Sequence, residues 1–382
     1  SMGDNKVDNK DDFDGSYNVE FDAKARITNL GYEVEFVIPF SSLNFPDTEN
    51  QELTLMLSRK LYNKGTESRY MNYAKIDGAG CIICQSNEIY SVENIVKKNK
   101  KRLIPSLTAN SIRERNQDGE MIGEPVDSEV SLGGEYEFNG NNFEFTFNPD
   151  FSQVEADQSK IDINSTTALR FDERRIFFNE GKDFLSSDLS TVYTRSINDP
   201  EYALKLYNRG EKHSYYFLDA EDATTPIIIP GYQRSYSGLL GKSHANIFSY
   251  NYNIERGQNI GFLATNRDFE EGGNSALYSL KGNFLFNDIY RTQFELVSTD
   301  MDEPISDVIN TSNTSKEHTY NLDGESFSGY GGVFGLSRET ENWETRYYFA
   351  TKSPNYRSDL GFTTENDWKK HSINHNQISS KI

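Results

Sequence analysis

The most constraining feature of this sequence is the alternation of aromatic and polar residues in successive short segments beyond residue 103. Tyr136 and Phe138 precede an Asn139-Gly140 dipeptide, and further aromatic residues follow it at every second position, at Phe143, Phe145 and Phe147. Because the side chains of a β-strand point alternately to its two faces, this period of two indicates strands with one apolar face. Asn-Gly between two such runs is typical of a two-residue hairpin turn.

The same pattern recurs along the rest of the chain. Aromatic and aliphatic residues alternate with Ser, Asn, Glu and Arg in three further pairs of segments, at 248–254 with 260–262, 278–286 with 290–296, and 330–336 with 343–349. Tight turns on one side and longer polar loops on the other, including residues 300–326 as one outer loop, are typical of membrane-spanning barrels. A soluble sandwich would need a second apolar sheet against each such face, whereas a barrel needs only lipid. We therefore predict an all-β chain with an outer-membrane-type antiparallel β-barrel.

Composition limits the function classes. The chain has 382 residues and a mean hydropathy of −0.72, yet 13% of its residues are aromatic, which is not the composition of a disordered acidic chain. Its net charge of −20 repels other polyanions, so we exclude nucleic acid as a partner. No apolar run approaches the roughly 18 residues of a membrane helix, so any membrane contact must be made by strands.

Two regions are distinguished by their charge and patterning. Residues 1–103 contain the alternating stretch 31–40, which predicts a half-buried strand, and end in a basic run, Lys97–Arg102. We place the domain boundary at this run, with the barrel at 104–382. The chain opens with Ser-Met-Gly and ends without a terminal aromatic residue, so we expect a native signal peptide to have been removed and the barrel to be truncated before closure.

The two cysteines, Cys81 and Cys84, form a single Cys-x-x-Cys in a glycine-rich stretch. A zinc site would need a second pair of ligands nearby, and a thioredoxin-type motif would need a βαβ context, which the pattern lacks. We favour a structural pair, either a disulfide or two buried thiols, and keep a redox or metal role as the alternative.

A group of charged and amide residues that could form one site lies between positions 150 and 180. The candidate ligand or ion-pair cluster consists of Asp150, Gln153, Glu155, Asp157, Glu173, Arg174, Arg175 and Glu180. Its carboxylates suit a calcium site, the one cofactor that the pattern leaves open, and two of them would suit the acid and the nucleophile or base of glycoside hydrolysis. The interpretation that we favour is an ion-paired network in the barrel lumen, in which the arginines bind carboxylates bidentately and one of them contacts Glu155 or Asp157.

Two segments carry a family resemblance. Residues 148–157 read Asn-Pro-Asp-Phe-Ser-Gln-Val-Glu-Ala-Asp, and residues 171–181 read Phe-Asp-Glu-Arg-Arg-Ile-Phe-Phe-Asn-Glu-Gly. Together they resemble the hallmark of the family called domain of unknown function 5916, in which a periplasmic domain similar to family 9 carbohydrate-binding modules precedes an outer-membrane β-barrel. Residues 21–45 are similar to the last part of that module, and residues 353–362 to a later barrel strand.

This resemblance implies a noncatalytic outer-membrane protein of a Gram-negative bacterium, with a partial carbohydrate-binding-module-like β-sandwich at 1–103 in the periplasm. The expected role is the handling of extracellular glycans or related nutrients, and the expected partners are outer-membrane lipid and a glycan ligand. Two other readings stay open. One is a glycoside hydrolase that uses carboxylates in 150–180, and the other is a soluble secreted carbohydrate-binding protein.

Overall fold

The computed structural model describes residues 127–150 and 167–377, except for 211, 255–257, 288, 317 and 341. It also describes shorter segments nearer the N-terminus, namely 6–7, 13–14, 21–29, 31–40, 43, 50–63, 66–72, 89–93, 101–110, 113–115 and 121–123. Five of the predicted site residues lie outside the described parts of the chain: Cys81, Cys84, Gln153, Glu155 and Asp157.

The strands that precede residue 100 form separate two-stranded antiparallel sheets. The pairs are β1 (Lys6–Val7) with β2 (Phe13–Asp14), β3 (Asp22–Thr28) with β4 (Gly31–Val37), β5 (Asn50–Thr54) with β8 (Ile89–Glu93), and β6 (Ser58–Asn63) with β7 (Thr66–Met71). The alternation at 31–40 predicts a half-buried strand, but every residue of β4 is exposed because β3 is its only strand partner among the described residues.

One large antiparallel sheet contains twelve strands. In chain order they are β9 (Lys101–Asn110), β12 (Asp127–Phe138), β13 (Asn141–Phe147), β14 (Pro200–Arg209), β15 (His213–Asp222), β18 (Ser243–Asn253), β19 (Asn259–Phe269), β20 (Asn274–Phe286), β21 (Tyr290–Asp302), β26 (Ser326–Glu339), β27 (Trp343–Lys352) and β28 (Trp368–Gln377). Each pairs with the next in this order, which is the meander that tight hairpin turns produce. The predicted Asn139-Gly140 turn joins β12 to β13, with φ angles of 48° and 75° that Asn and Gly tolerate best.

The remaining elements are short. They are β10 (Arg113–Arg115) with β11 (Met121–Gly123), β16 (Thr225–Gly231) with β17 (Arg234–Leu240), β22 (Ile305–Ser306) with β25 (Leu322–Asp323), β23 (Thr314–Ser315) with β24 (His318–Thr319), helix α1 (Ile176–Asn179), and two 3₁₀ turns at Lys182–Leu185 and Thr194–Ser196. Within the described residues, no helix is long and apolar enough to cross a membrane.

The predicted all-β class is confirmed, and so is the large antiparallel arrangement. The described sheet is open, since its edge strands β9 and β28 do not pair with each other. Closure into a barrel therefore stays a prediction. The domain boundary predicted after residue 103 falls within β9, whose ten residues already belong to the large sheet.

The two faces of the sheet differ in burial along its central strands, whereas the edge strands β9 and β28 are exposed on both faces. In β18, Ala245, Ile247 and Ser249 are buried on what we call the inner face, whereas Phe248 is exposed and Tyr250 half-buried on the outer face. This is the alternation that the sequence predicts for this strand. Apolar residues therefore occupy both faces, and the buried ones must be covered by something other than a second sheet.

The inner face is covered by the connection between β13 and β14. Residues 171–199, which we call the interior segment, pack against the strands through buried apolar side chains that include Phe178, Phe184, Leu189 and Ile197. The chain from Tyr356 to Leu360, between β27 and β28, joins the same core. Connections between the strands thus cover the inner face, in the position that a second sheet occupies in a sandwich.

Glycine residues on the inner face of β26 make room for this packing. A Cβ atom at Gly331 would lie 2.8 Å from Cε2 of Tyr356 and 3.0 Å from Cδ1 of Leu189. At the neighbouring Gly332, on the outer face, a Cβ atom would approach nothing closer than 3.7 Å. The absent side chain at Gly331 therefore lets the fully buried Tyr356 ring lie directly on the strand.

A second, smaller core lies among the connections at one end of the strands. The hairpin β16–β17 and the connection 303–325 pack together around Ile227, Ile229, Leu240, Phe269, Ile309, Tyr320 and Leu322. We call this unit the loop cap. The polar stretch predicted as one outer loop thus contains four short strands and a core of its own.

We expect Gly331→Ala to lower the free energy of unfolding by about 1–3 kcal/mol, because the added methyl group overpacks the contact with Tyr356 and Leu189. Gly332→Ala is the matched control and should be close to neutral. Chemical denaturation of both variants checks this, and equal stabilities would contradict the packing of Tyr356 on β26.

Candidate functional site

Two of the predicted site residues, Glu173 and Arg175, form a buried ion pair at the start of the interior segment. Nη2 of Arg175 lies 2.7 Å from Oε2 of Glu173, and Nε lies 2.9 Å from Oε1, so the guanidinium binds both carboxylate oxygens. The hydroxyl of Thr194 donates a further hydrogen bond of 2.7 Å to Oε2. The side chains of Glu173 and Arg175 are only 2% and 1% exposed.

The other donors of Arg175 reach the far end of the interior segment. Nη1 donates to the carbonyl oxygen of Ile197 at 2.7 Å, and Nη2 donates to that of Thr194 at 3.0 Å. The guanidinium also lies over the Phe178 ring, 4.2 Å from its centroid. One arginine therefore holds the beginning and the end of the segment together.

Arg267 and Asp222 attach the same end of the segment to the sheet. Nη2 of Arg267, fully buried in β19, donates to the carbonyl oxygen of Ser196 at 2.9 Å. Asp222 at the end of β15 accepts the backbone N–H groups of Asn198 and Asp199 at 2.9 Å and 2.6 Å. The interior segment is thus fixed by charged groups as well as by its apolar side chains.

The surroundings of Glu173 change its acidity. Burial acts to raise the pKa of this carboxyl, but the hydrogen bonds and the charge of Arg175, together with the Thr194 hydroxyl, lower it below the ordinary value. Glu173 is therefore ionised in the folded protein at neutral pH. An ionised carboxylate held by an arginine is poorly suited to act as a general acid.

The other predicted residues are placed differently. Arg174 is exposed, on the opposite side of the chain from Arg175, and Asp150 is half-buried just after β13. Glu180 belongs to a second group of charged residues, which includes Tyr207, and its Oε1 lies 3.1 Å from the hydroxyl of Tyr207. The predicted contact of Arg174 or Arg175 with Glu155 or Asp157 involves partners outside the described residues and stays a prediction.

The second charged group lies on the inner face of β13 and β14. Nζ of Lys205, which is fully buried, lies 2.8 Å from Oε2 of Glu144 and donates to the carbonyl oxygen of Glu180 at 2.8 Å. The Tyr207 hydroxyl lies 3.0 Å from Oε1 of Glu144. Period-two alternation in residues 141–147 marks Glu144 as facing away from the aromatic side, but nothing local shows that Lys205 lies beside it.

Next to this group the inner face leaves a polar cavity of about 480 Å³. One wall is the interior segment from Asp183 to Asp188, and the other is formed by the ends of β15, β18, β19, β20 and β21. Five amide side chains line it: Asn251, Asn253, Asn259, Asn283 and Gln293. This concentration of amides was not among the predicted site residues.

Strand register brings these amides together. Asn253, Asn259, Asn283 and Gln293 pair in succession across β18 to β21, so they form one continuous row on the inner face. A parallel row two residues further along each strand contains Asn251, Gly261, Lys281 and Glu295. Each amide is predictable as inward-facing from its own strand, but the rows exist only through the register.

The charged groups of the cavity are held in place by the interior segment. Nζ of Lys281 donates to the carbonyl oxygen of Ser186 at 2.8 Å. Glu295 accepts from the Ser187 hydroxyl at 2.6 Å and from the backbone N–H of Asp188 at 2.9 Å. Arg209 of β14 forms an ion pair with Asp183 of the interior segment. These groups thus fix the shape of the cavity.

Gly261 keeps part of this space open. A Cβ atom there would clash with Oδ1 of Asn251 and would lie 2.9 Å from Cε of Lys281. Glycine therefore lets these two polar side chains converge across β19.

The chemistry of the cavity suits a neutral ligand with many hydroxyl groups. An amide side chain offers two donor hydrogens and an acceptor oxygen, so it can either donate a hydrogen bond to a hydroxyl group or accept one from it. The Phe184 ring is buried in the same wall, where the Arg209 guanidinium lies over it, 4.5 Å from its centroid. A concave space with a few oriented polar groups is what a small-ligand site requires.

Comparison with family models, with curated proteins and with solved structures finds no match to this chain.

We expect Arg175→Ala to lower the free energy of unfolding by about 3–5 kcal/mol, because it leaves the carboxylate of Glu173 buried without its partner. Arg174→Ala, at the exposed neighbouring position, is the control and should leave the melting temperature nearly unchanged. A similar loss of stability in both variants would show that Arg175 does not hold the two ends of the interior segment together.

Proposed function

We propose that this chain is a noncatalytic outer-membrane β-barrel protein of a Gram-negative bacterium, whose interior binds a neutral, polyhydroxylated ligand such as a glycan. In this proposal residues 1–103 lie in the periplasm, the outer face of the sheet contacts lipid, and the cavity takes part in the handling of extracellular glycans or related nutrients.

The observation that carries the proposal is the apolar band on the outer face of the sheet. Register aligns Phe217 with Phe248, while Phe262, Leu280 and Leu296 form a row across three strands. A further row contains Phe294, Phe334 and Phe349. These rows lie side by side, so the apolar groups are contiguous and not scattered.

Exposure supports lipid as the partner of this band. Leu296 is 58% exposed and Tyr330 is 61% exposed, and the strand of Leu296 buries the polar residues Glu295 and Thr299 on its inner face. Soluble monomers rarely expose large contiguous apolar surfaces, and such surfaces mark a protein or membrane contact. The outer face is apolar and exposed, whereas the inner face is filled by the interior segment and by a cavity lined with polar side chains. This arrangement agrees with that of a membrane barrel.

The inner face supports binding more than catalysis. Glu173 is held by Arg175, and Glu144 is held by Lys205 and Tyr207. Glycoside hydrolysis needs two carboxyl groups that flank an open cleft and stay free for the substrate. The amides of the cavity have no acid or base chemistry of their own, and they serve to hydrogen-bond a ligand.

Substitution in the apolar band tests the membrane part of the proposal. Leu296→Arg should destabilise the protein in lipid vesicles by about 2–4 kcal/mol, because it places a cation on the lipid-facing surface near the middle of the bilayer. Ile305→Arg, at a more exposed apolar residue beyond the end of β21, is the control and should be nearly neutral.

In a soluble carbohydrate-binding protein both substitutions would be tolerated. A protein that is monodisperse and folded without detergent, and that tolerates Leu296→Arg, would exclude residence in the membrane. That result would not bear on ligand binding by the cavity, which is tested separately.

Binding is tested separately through the amide row. We expect the double substitution Asn253→Ala with Asn283→Ala to weaken the binding of neutral oligosaccharides at least about tenfold, because hydrogen-bonding groups in contact with ligand hydroxyls are lost. Asn246→Ala, on the outer face of β18, is the control. Isothermal titration calorimetry against a panel of neutral oligosaccharides measures both, and equal affinities in the two variants would place the ligand elsewhere.

A further inference from the structure

Three carboxylates converge at the base of the loop cap. Glu303 directly follows β21, and its backbone N–H donates to the carbonyl oxygen of Glu325 at 2.9 Å, which extends the pairing of β21 with β26 by one step. Asp323 lies in β25 opposite Ile305. The chain thus leaves the sheet at Glu303 and returns to it at Glu325, with Asp323 on the returning stretch.

The three side chains form a compact group. One carboxylate oxygen each of Glu303, Asp323 and Glu325 lies within 4.8 Å of the others. Their environments are graded, since Glu303 is buried, Glu325 is half-buried and Asp323 is exposed. The group is therefore anchored in the protein on one side and open to solvent on the other.

Acidic groups alone do not make a cation site, and the second observation concerns Glu303. Its side chain is 1% exposed, and its Oε1 accepts from Nη1 of Arg357 at 2.6 Å. Its Oε2 is buried and has no hydrogen-bond partner within the described part of the chain. A buried carboxylate oxygen without a donor is costly, and a bound cation would satisfy it.

The available positive charge does not balance this group. Arg357 also binds both oxygens of Asp359, at 2.9 Å and 3.2 Å, so a single guanidinium serves two carboxylates. The titratable and charged groups that face Glu303 from the surrounding elements are Arg357, Asp359, Asp323, Glu325 and His318. Four carboxylates, counting Glu303 itself, thus share Arg357 and one histidine, and the second arginine near Asp359, Arg267, also serves Asp222.

Protonation of Glu303 reflects this surplus of negative charge. Burial, together with the nearby carboxylates of Asp323, Asp359 and Glu325, raises the pKa of the Glu303 carboxyl to about 7, although the charge of Arg357 acts to lower it. Without a cation, this carboxyl therefore takes up a proton near neutral pH.

Hydrogen bonds position the two outer carboxylates. The Thr319 hydroxyl donates to Oδ2 of Asp323 at 2.8 Å, and the Thr319 backbone N–H donates to Oε2 of Glu325 at 2.9 Å. One residue of β24 thus orients both side chains, and each carboxylate has a second oxygen that can bind an ion.

We propose that Glu303, Asp323 and Glu325 form a calcium-binding site that fixes the loop cap to the end of the sheet. Calcium takes six to eight oxygen ligands in irregular geometry and keeps waters on an exposed side, which matches one buried, one half-buried and one exposed carboxylate. Magnesium demands a near-ideal octahedron, and zinc prefers nitrogen and sulfur ligands, so both fit this group less well. The bound ion joins Glu303, which leaves the sheet, to Asp323 and Glu325, which return to it.

The experiment is a titration of the purified full chain, after treatment with a chelator, with calcium chloride in a calorimeter. We expect one saturable site per chain and a rise in melting temperature that grows with calcium concentration. The double substitution Asp323→Asn with Glu325→Gln should abolish both responses, because it removes two charged ligands and preserves side-chain size. Asp307→Asn, at an exposed acidic residue of the same connection, should retain both.

Three outcomes would overturn the proposal. They are no saturable calcium binding, binding that the double variant retains, and magnesium or zinc chloride binding more tightly than calcium chloride. The Asp323 and Glu325 side chains are accessible, so a folded double variant can be checked by its unchanged β-sheet circular dichroism in the absence of calcium.

Discussion

The Glu173–Arg175 ion pair holds together the two ends of the interior segment, and the inner face of the sheet depends on that segment for its cover. Removing two charges from water is expensive, and the pair is sustained because Arg175 also reaches the carbonyl oxygens of Thr194 and Ile197. These contacts place Phe178 and Ile197 against the strands. An alternating sheet with no second layer can bury its inner apolar residues only against such a segment.

The same arrangement explains why charged residues occur on the inner face. Lys205 and Arg267 are fully buried within strands, yet both donate to carbonyl oxygens of the interior segment, at Glu180 and Ser196 respectively. The segment has few regular hydrogen bonds of its own, so its carbonyl groups need donors from the sheet. Alongside residues 183–188 of the segment, inner-face amides near the strand ends are left facing a cavity.

The proposed functions occupy separate parts of this architecture. The apolar band lies on the outer face, the amide cavity lies inside near the tight turns, and the carboxylate group lies where the loop cap joins the opposite ends of β21 and β26. Each depends on a different physical property. The band depends on exposed apolar surface, the cavity on hydrogen-bond donors and acceptors, and the carboxylate group on excess negative charge. A change in one can therefore be measured without removing the others.

The sequence by itself determined the all-β class, the strands within 136–147, 248–262, 278–296 and 330–349, the Asn139-Gly140 turn and the alternation of faces within those strands, whereas the segment 353–362, expected to resemble a barrel strand, forms no strand. These follow from period-two alternation and turn chemistry, which are local. It also identified Glu173 and Arg175 as charged groups of interest. Only the tertiary structure decided that the two pair with each other, that Lys205 lies beside Glu144, and that Asn253, Asn259, Asn283 and Gln293 form one row. It also decided that Glu303 meets Asp323 and Glu325. These contacts depend on strand register and on the path of long connections, and both are set by packing between residues far apart in the chain.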